Sequence, residues 1–416
     1  MAHYISIKQL LYNMCQYDAS DLHIKVGMPP VFRINGELRP LGLPPLTEQD
    51  TERLISEIIP PSQRDRYDKT GDLDFSTFLD TRTIAARAKA LKGMEPRSTD
   101  SETAAAAVEE VTIGTTGDQP ENVDRFRCNV FRSGGGMNCA IRRIKPDIPS
   151  FESLHLPPIY QKLTDQTHDG LVLVVGVTGS GKSTTLACML ERVNQSRAEN
   201  IITVEDPVEY HFHPKKSIVS QREIGLDVPS YREALKYVVR QDPDVIFIGE
   251  LRDHDTVLAA IQAAETGHLV FGSLHTADTM QAFSRIIEFF PQNEHAFIRS
   301  SLSNSLRAVC AQRLLPANKD ATIGGVGAVP ATEVLLNNAS VREMIREGED
   351  ADLPAIVNSS TSDGMRSFTH SLAELVEKEM VSLQTAMEYA PNRETLSSIL
   401  KGVEVKASTM VRRVKG

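Results

Sequence analysis

The stretch from Leu171 to Val193 constrains this chain more than any other. Leu171-Val172-Leu173-Val174-Val175 is a short apolar run, rich in β-branched residues, that predicts a buried strand. It leads into Gly176-Val177-Thr178-Gly179-Ser180-Gly181-Lys182-Ser183, which fits the phosphate-cradling pattern G-x-x-x-x-G-K-[ST]. Ser183 to Val193 then predicts a helix. A strand that turns tightly into a helix aims backbone N–H groups and the positive helix end at one point in space. A triphosphate fits that point. The glycines let the backbone approach closely, Lys182 can reach the β- and γ-phosphates, and the Ser183 hydroxyl can hold Mg²⁺. A glycine-rich turn could match the pattern by chance, but strand and helix both stand where nucleotide binding needs them.

From about Leu163 onward, strand and helix patterns alternate, which is the signature of a mostly parallel α/β sheet. Candidate strands are Leu171–Val175, Ile201–Val204, Val245–Ile248 and Leu269–Leu274, and beyond about Val341 the pattern is helical. The residues before about 145 read instead as a smaller α+β domain. Ile5 to Gln16 and Thr47 to Ile59 predict helices, the second capped by Thr47. Strands are expected at Asp21–Val26, at Val31–Ile34 and Glu37–Arg39 around the hairpin signal Asn35-Gly36, at Leu73–Phe78 and at Thr83–Ala90. Arg125–Phe131 and Asn138–Ile144 form a further pair joined through Gly134-Gly135-Gly136. Gly93–Asn122, with almost no large apolar residue, reads as a disordered insertion. Pro146, Pro149, Pro157 and Pro158 mark a linker.

Composition narrows the function classes. With 416 residues, 41% of them hydrophobic and 24% charged, the chain has room for more than one domain and disorder is not its default. A net charge of −10 argues against a chain built to coat nucleic acid. No apolar run approaches the roughly 18 residues of a membrane span, and the start lacks the basic and apolar regions of a secretory leader. Cys15, Cys128, Cys139, Cys188 and Cys310 include no C-x-x-C pair, so no structural zinc site is expected and reduced, buried thiols are.

Phosphoryl transfer needs a metal holder, a residue that positions water, and cations that neutralise developing charge. In open α/β sheets such groups come from the carboxyl ends of neighbouring strands. Glu205 directly follows Ile201–Val204, Glu250 follows Val245–Ile248 after one glycine, and His275 follows Leu269–Leu274. Any one of them could merely cap a helix or brace a turn. Three polar groups at three strand ends, in a chain with a phosphate loop, point together to ATP hydrolysis. His268, at the start of its strand, reads as structural.

At these residues the chain resembles a known family. Val175-Gly-Val-Thr-Gly-Ser-Gly-Lys-Ser-Thr-Thr185, Ile202-Thr-Val-Glu-Asp-Pro-Val-Glu209, Arg240-Gln-Asp-Pro-Asp-Val-Ile-Phe-Ile-Gly-Glu-Leu-Arg-Asp253 and Gly267-His-Leu-Val-Phe-Gly-Ser-Leu-His-Thr276 are similar to the Walker A, Asp-box, Walker B and His-box motifs of the ATPases of type II and type IV secretion and type IV pili. Ala19-Ser20-Asp21-Leu22-His23-Ile24, Val341-Arg342-Glu343-Met344-Ile345-Arg346-Glu347, Gly364-Met365 and Ser371-Leu372 narrow the resemblance to the PilT-type retraction ATPases. It runs from Ile5 to about Leu400. Two features depart from that pattern: Val177 stands where the family commonly has proline, and the 93–122 insertion is foreign to it. Extension-type relatives carry a long extra N-terminal domain and a tetracysteine zinc site; neither is seen here, so retraction is the expectation.

The resemblance implies an α/β fold with a RecA-like P-loop ATPase core, a smaller PAS-like α+β domain before it and a helical C-terminal region. The corresponding bounds are 1–145, a linker at 146–162, the ATPase domain at 163–402 and a basic tail at 403–416. It implies that Gly176, Thr178, Gly179, Ser180, Gly181, Lys182, Ser183 and Thr184 bind ATP, that Ser183 holds Mg²⁺ and that Glu250 supports Mg²⁺ or water. Glu205 would polarise the attacking water and His275 would sense the γ-phosphate. Arg127 and Arg142 match arginine fingers, with Arg143 the weaker candidate because it alternates to the opposite face. The implied assembly is a cytoplasmic homo-hexamer, peripheral at the inner membrane, working on a pilus platform protein and drawing pilin from the fibre. Three rivals are a paralogous pilus or secretion ATPase, a RecA-like translocase stimulated by DNA, and a nucleotide-gated subunit without turnover. The absence of tryptophan offers little for base stacking, and intact Lys182, Glu205 and Glu250 argue for turnover.

Overall fold

The computed structural model describes residues 5–34, 36–80, 112–114, 123–144, 147–318 and 327–402. They divide into two compact units. The first takes the described residues of Met1–Asp147 with Asp206–His213 and Glu223–Asp227, and the second takes the remainder.

The first unit is an antiparallel sheet with helices. Its strands are β1 (Asp21–Ile24), β2 (Val31–Ile34), β3 (Glu37–Pro40), β4 (Asp72–Asp80), β5 (Thr112–Gly114), β6 (Asp124–Ser133) and β7 (Gly136–Ile144), in the order β3-β2-β1-β7-β6-β4-β5. Ile7, Leu10, Leu11 and Met14 fall on one face of the Ile7–Gln16 helix and are buried there, while the Ser6 hydroxyl accepts from Gln9 N and starts the helix. Thr47 and Asp50 form a reciprocal capping box that starts the Glu48–Ser56 helix, whose Leu54 and Ile55 join the same core. Phe32, Phe75, Phe126 and Ile141 supply that core from the strands.

The second unit is α/β. Its sheet runs β10-β9-β11-β12-β8-β13-β14, with β8 (Gly170–Val175), β9 (Asn200–Glu205), β10 (Ile218–Glu223), β11 (Val245–Ile248), β12 (Leu269–Leu274), β13 (Leu306–Pro316) and β14 (Ala328–Leu336). The pairs from β9 through β11, β12 and β8 to β13 are parallel, and β14 returns antiparallel to β13. Every residue of β8, β11 and β12 is buried, as expected of strands covered on both faces. The Lys182–Ser196 and His254–Glu265 helices pack on β8 and β12. After β14 the chain is helical, and the Phe368–Glu377 helix packs on β14 and on the Arg393–Leu400 helix.

Several expectations need correction. Thr112–Gly114, placed in a disordered insertion, is a strand: it pairs with Phe78–Asp80 and covers an edge of β4 that would otherwise leave its backbone groups unpaired. The linker expected to reach residue 162 gives way to a helix at Pro158, since proline suits the first helical turn, where its missing N–H costs nothing. The strand expected over Asp21–Val26 stops at Ile24. Asp206–His213 and Glu223–Asp227, expected in the ATPase domain, belong to the first unit. Within that unit the buried Glu223 carboxylate accepts from Ser76 Oγ (2.9 Å) and Val208 N (3.1 Å). The expected strand Thr83–Ala90, the rest of the 93–122 stretch, Asn35 and the basic tail lie outside the described residues.

Candidate active site

Val175 ends β8, the chain turns through Gly176 to Gly181, and the Lys182–Ser196 helix begins. The turn closes only with glycine at its first position. A Cβ on Gly176 would lie 2.5 Å from the backbone oxygen of Gln312 and 2.3 Å from Ser180 Oγ. Gly181, at φ +88°, is the helix N-cap and brings no capping side chain to the first turn. That turn therefore keeps its anion-binding character. The Lys182 ammonium folds back over the loop and donates to the carbonyls of Gly176 (2.8 Å) and Val177 (3.2 Å). Ser183 is exposed and Thr178 and Gly179 lie at the exposed rim, whereas Ser180 is buried.

The acids and the histidine lie at the carboxyl ends of β9, β11 and β12, the strands next in order after β8. Glu205 is buried, and its Oε1 accepts from Thr203 Oγ1 (2.6 Å) and Gln221 Nε2 (3.1 Å). These donors hold one carboxylate oxygen in place. Gly249 N donates to Val204 O at 2.8 Å, and a Cβ on Gly249 would stand 3.3 Å from Glu205 Cα, so the two strand ends lie close together. Glu250 sits between two residues tied to β12: Ser273 Oγ donates to Gly249 O (2.5 Å) and Leu251 N donates to Ser273 O (2.9 Å). His275 follows β12, with Nε2 3.6 Å from Glu250 Oε1. Burial, and then the positive charge of Lys182, lower the pKa of His275 below the usual histidine value, and Glu250 opposes them. The imidazole is therefore neutral near pH 7, and its contact with Glu250 is polar rather than an ion pair.

The arginines lie on the first unit. Arg127 on β6 and Arg142 on β7 are direct cross-strand partners, so both project from the same face of that sheet. Arg142 Nε donates to Asp21 Oδ1 at 2.9 Å, and Arg127 Nη1 lies 3.7 Å from Glu209 Oε1. Arg143 is held by Asp124 (2.7 Å) and Asp18 (2.9 Å) as a structural tie. His268 braces a helix end, its Nδ1 lying 2.9 Å from Ala263 O.

The donors suit a hard cation shared with a nucleotide. Among the described residues, no cluster of three or more His, Cys, Asp or Glu side chains could hold a metal by itself. Magnesium typically takes one or two protein oxygens and fills its octahedron with phosphate and water, which suits the hydroxyl of Ser183 and the carboxylate of Glu250. The Ser180 hydroxyl is buried against Gly176 and finds no hydrogen-bond partner in the protein.

Thr203, Gln221, Ser273 and Gln312 were not singled out from the sequence. Two of them carried a signal: Thr203 and Ser273 are polar residues inside the apolar runs of β9 and β12.

Residues 125–387 match the family model described as type II/IV secretion system protein. Over 386 residues the chain is 35% identical to the type IV pilus retraction ATPase PilT of Pseudomonas aeruginosa, covering 93% of this chain and 98% of that protein. It is 34% identical over 397 residues to the type IV pilus ATPase PilU of the same organism, covering 95% of this chain and 92% of that one. A crystal structure of the pilus retraction motor PilT with bound ADP matches with a TM-score of 0.75 at 36% identity, over 94% of this chain and 99% of that one. The Legionella pneumophila ATPase DotB, at 22% identity, a TM-score of 0.68 and coverage of 92% of this chain and 94% of that one, shares the fold. By motif order, sheet topology and near full-length likeness, the chain belongs to the type II/IV secretion system protein family.

Proposed function

We propose that this chain is an ATP-hydrolysing motor that powers type IV pilus retraction. The observation that carries this reading is the placement of the phosphate loop, Glu205, Glu250 and His275 at the carboxyl ends of β8, β9, β11 and β12 in one sheet, with His275 Nε2 3.6 Å from Glu250 Oε1. The relatives named for pilus retraction align over nearly the whole chain.

In this mechanism the loop from Gly176 to Thr184 holds the phosphates, and Lys182 exchanges its two loop carbonyls for β- and γ-phosphate oxygens. Glu205 orients a water and accepts its proton as the water oxygen attacks the γ-phosphorus. The bond to the bridging oxygen breaks, and ADP and inorganic phosphate leave. Ser183 and Glu250 would hold a magnesium ion, which when bound would supply positive charge to the phosphate oxygens. His275, neutral and in contact with Glu250, reports whether the γ-phosphate is present. Arg127 and Arg142 act as fingers that add cationic charge in the transition state.

The working assembly in this proposal is a homo-hexamer that meets a pilus platform protein at the inner membrane. The proposed association is peripheral; no helix among the described residues is long and apolar enough to cross a membrane. A phosphate-release assay on the purified chain tests the chemistry, and deletion of the gene tests the direction of work. Abundant but immobile surface fibres are expected, and bald cells would overturn retraction. The near-equal likeness to PilU carries a second reading, an accessory retraction ATPase. Unimpaired twitching in the deletion strain, with force reduced under load, would select it.

A further inference from the structure

We infer that Gln312 is a positioning residue for the phosphate loop, an inference that rests on the nucleotide-binding part of the reading above. Strand β13 runs parallel to β8 with Cys310 beside Val174 and Ala311 beside Val175. The next residue, Gln312, therefore comes level with Gly176, where the loop begins. Its side chain is almost fully buried, at 1% exposure. Nε2 donates to Ser180 O at 2.7 Å, and Oε1 accepts from Thr185 Oγ1 at 3.0 Å. Its backbone oxygen is one of the atoms that a Cβ on Gly176 would strike, and its Nε2 stands 3.0 Å from a Cβ placed on Gly181. One residue thus touches the start of the loop, its last turn and the first turn of the following helix.

The physical need is clear. A loop that offers N–H groups to phosphate must satisfy its carbonyls elsewhere. Lys182 serves Gly176 and Val177, but this is the lysine that must turn to the phosphates. The Ser180 carbonyl has a donor that does not depend on Lys182, the amide of Gln312. The Ser180 carbonyl fixes which way that amide faces, because the flipped orientation would set two acceptors against each other there, and the Thr185 hydroxyl then holds the amide oxygen. Glutamate would create that clash permanently and add a buried negative charge beside the phosphate site.

The test uses the purified full chain with Gln312→Ala and Gln312→Glu, titrated with Mg-ADP and assayed with Mg-ATP. For Gln312→Ala, the Kd for ADP and the KM for ATP both rise about tenfold, or about 1.4 kcal/mol, while kcat stays within about threefold. Gln312→Glu goes further in the same direction. A residue that only braces the core would instead lower Tm and the active fraction, so kcat per mole would fall with KM and Kd unchanged. That result overturns the inference. Should Gln312→Ala not fold, Thr185→Val keeps the glutamine but frees its amide, and must raise both constants by a smaller factor; unchanged constants again overturn it. A parent chain that does not bind Mg-ADP overturns the nucleotide reading itself, which separates the two failures.

Discussion

At the scale of single residues, the two strand-end glutamates differ in setting and so in what their loss should do. Glu205 is buried with one oxygen held by Thr203 and Gln221, which suits a group that must keep a water in line. Glu205→Gln is expected to lower kcat by about a hundredfold or more while Mg-ADP binding changes little, because proton acceptance is lost and the phosphate loop is untouched. Glu250 is more open and faces His275. Glu250→Gln should likewise abolish turnover and leave nucleotide binding intact; normal turnover by that variant would refute its role. Steady-state kinetics with a parallel ADP titration decides both. Gly176 is a residue whose missing side chain is its function. Alanine there would meet the backbone oxygen of Gln312, which cannot rotate away, so Gly176→Ala should abolish Mg-ADP binding in the same titration.

At the scale of elements, the phosphate-loop helix is anchored far from its N-terminus. Arg192 on the Lys182–Ser196 helix makes a two-pronged contact with Asp165 on the Pro158–Gln166 helix, at 2.7 and 3.0 Å. The hydrogen bond from Arg192 holds the Asp165 carboxyl below its ordinary value of 3.8. A carboxylate whose pKa falls on folding contributes stability above its unfolded value and loses it as pH falls through the folded one. Asp165→Asn should therefore cost a constant amount between about pH 5 and 8, on the order of 1 kcal/mol or less because the pair is half exposed. The gap to the parent should close below about pH 4, as read by denaturant melts across pH. A gap that did not narrow at all as pH fell below about 4 would show that packing, not charge, joins these helices.

At the scale of the whole molecule, the motor reading requires arginines of the first unit to act on a nucleotide held by the second. Arg142 and Arg127 have partners of their own, Asp21 and Glu209, and a finger must leave them when it works. Arg142→Ala should lower kcat by at least about tenfold with Mg-ADP affinity nearly unchanged, since fingers act on transition-state charge. If instead Tm falls and kcat holds, the residue serves only its ion pair with Asp21.

What could be read from the linear chain was whatever neighbouring residues encode together. The loop from Gly176 to Ser183 lies between its strand and its helix because turn, strand and helix signals are contiguous there. Strands β9, β11 and β12 showed as apolar runs, and Glu205, Glu250 and His275 stood out because each follows one of them directly or nearly so. The cap at Thr47 is likewise local. Three strands of the second sheet were not legible. In β13 and β14 apolar, small and polar residues fall without alternation because most positions are buried on both faces, and β10 is a short, largely polar strand at the sheet edge. Folding alone decided that β13 runs beside β8, bringing Gln312 to Ser180 across 132 residues of chain. It also decided that Gln221 donates to Glu205. Hydrogen bonds between segments distant along the chain leave no periodic trace in either one, so their partners emerge only when the sheet sets its strand order.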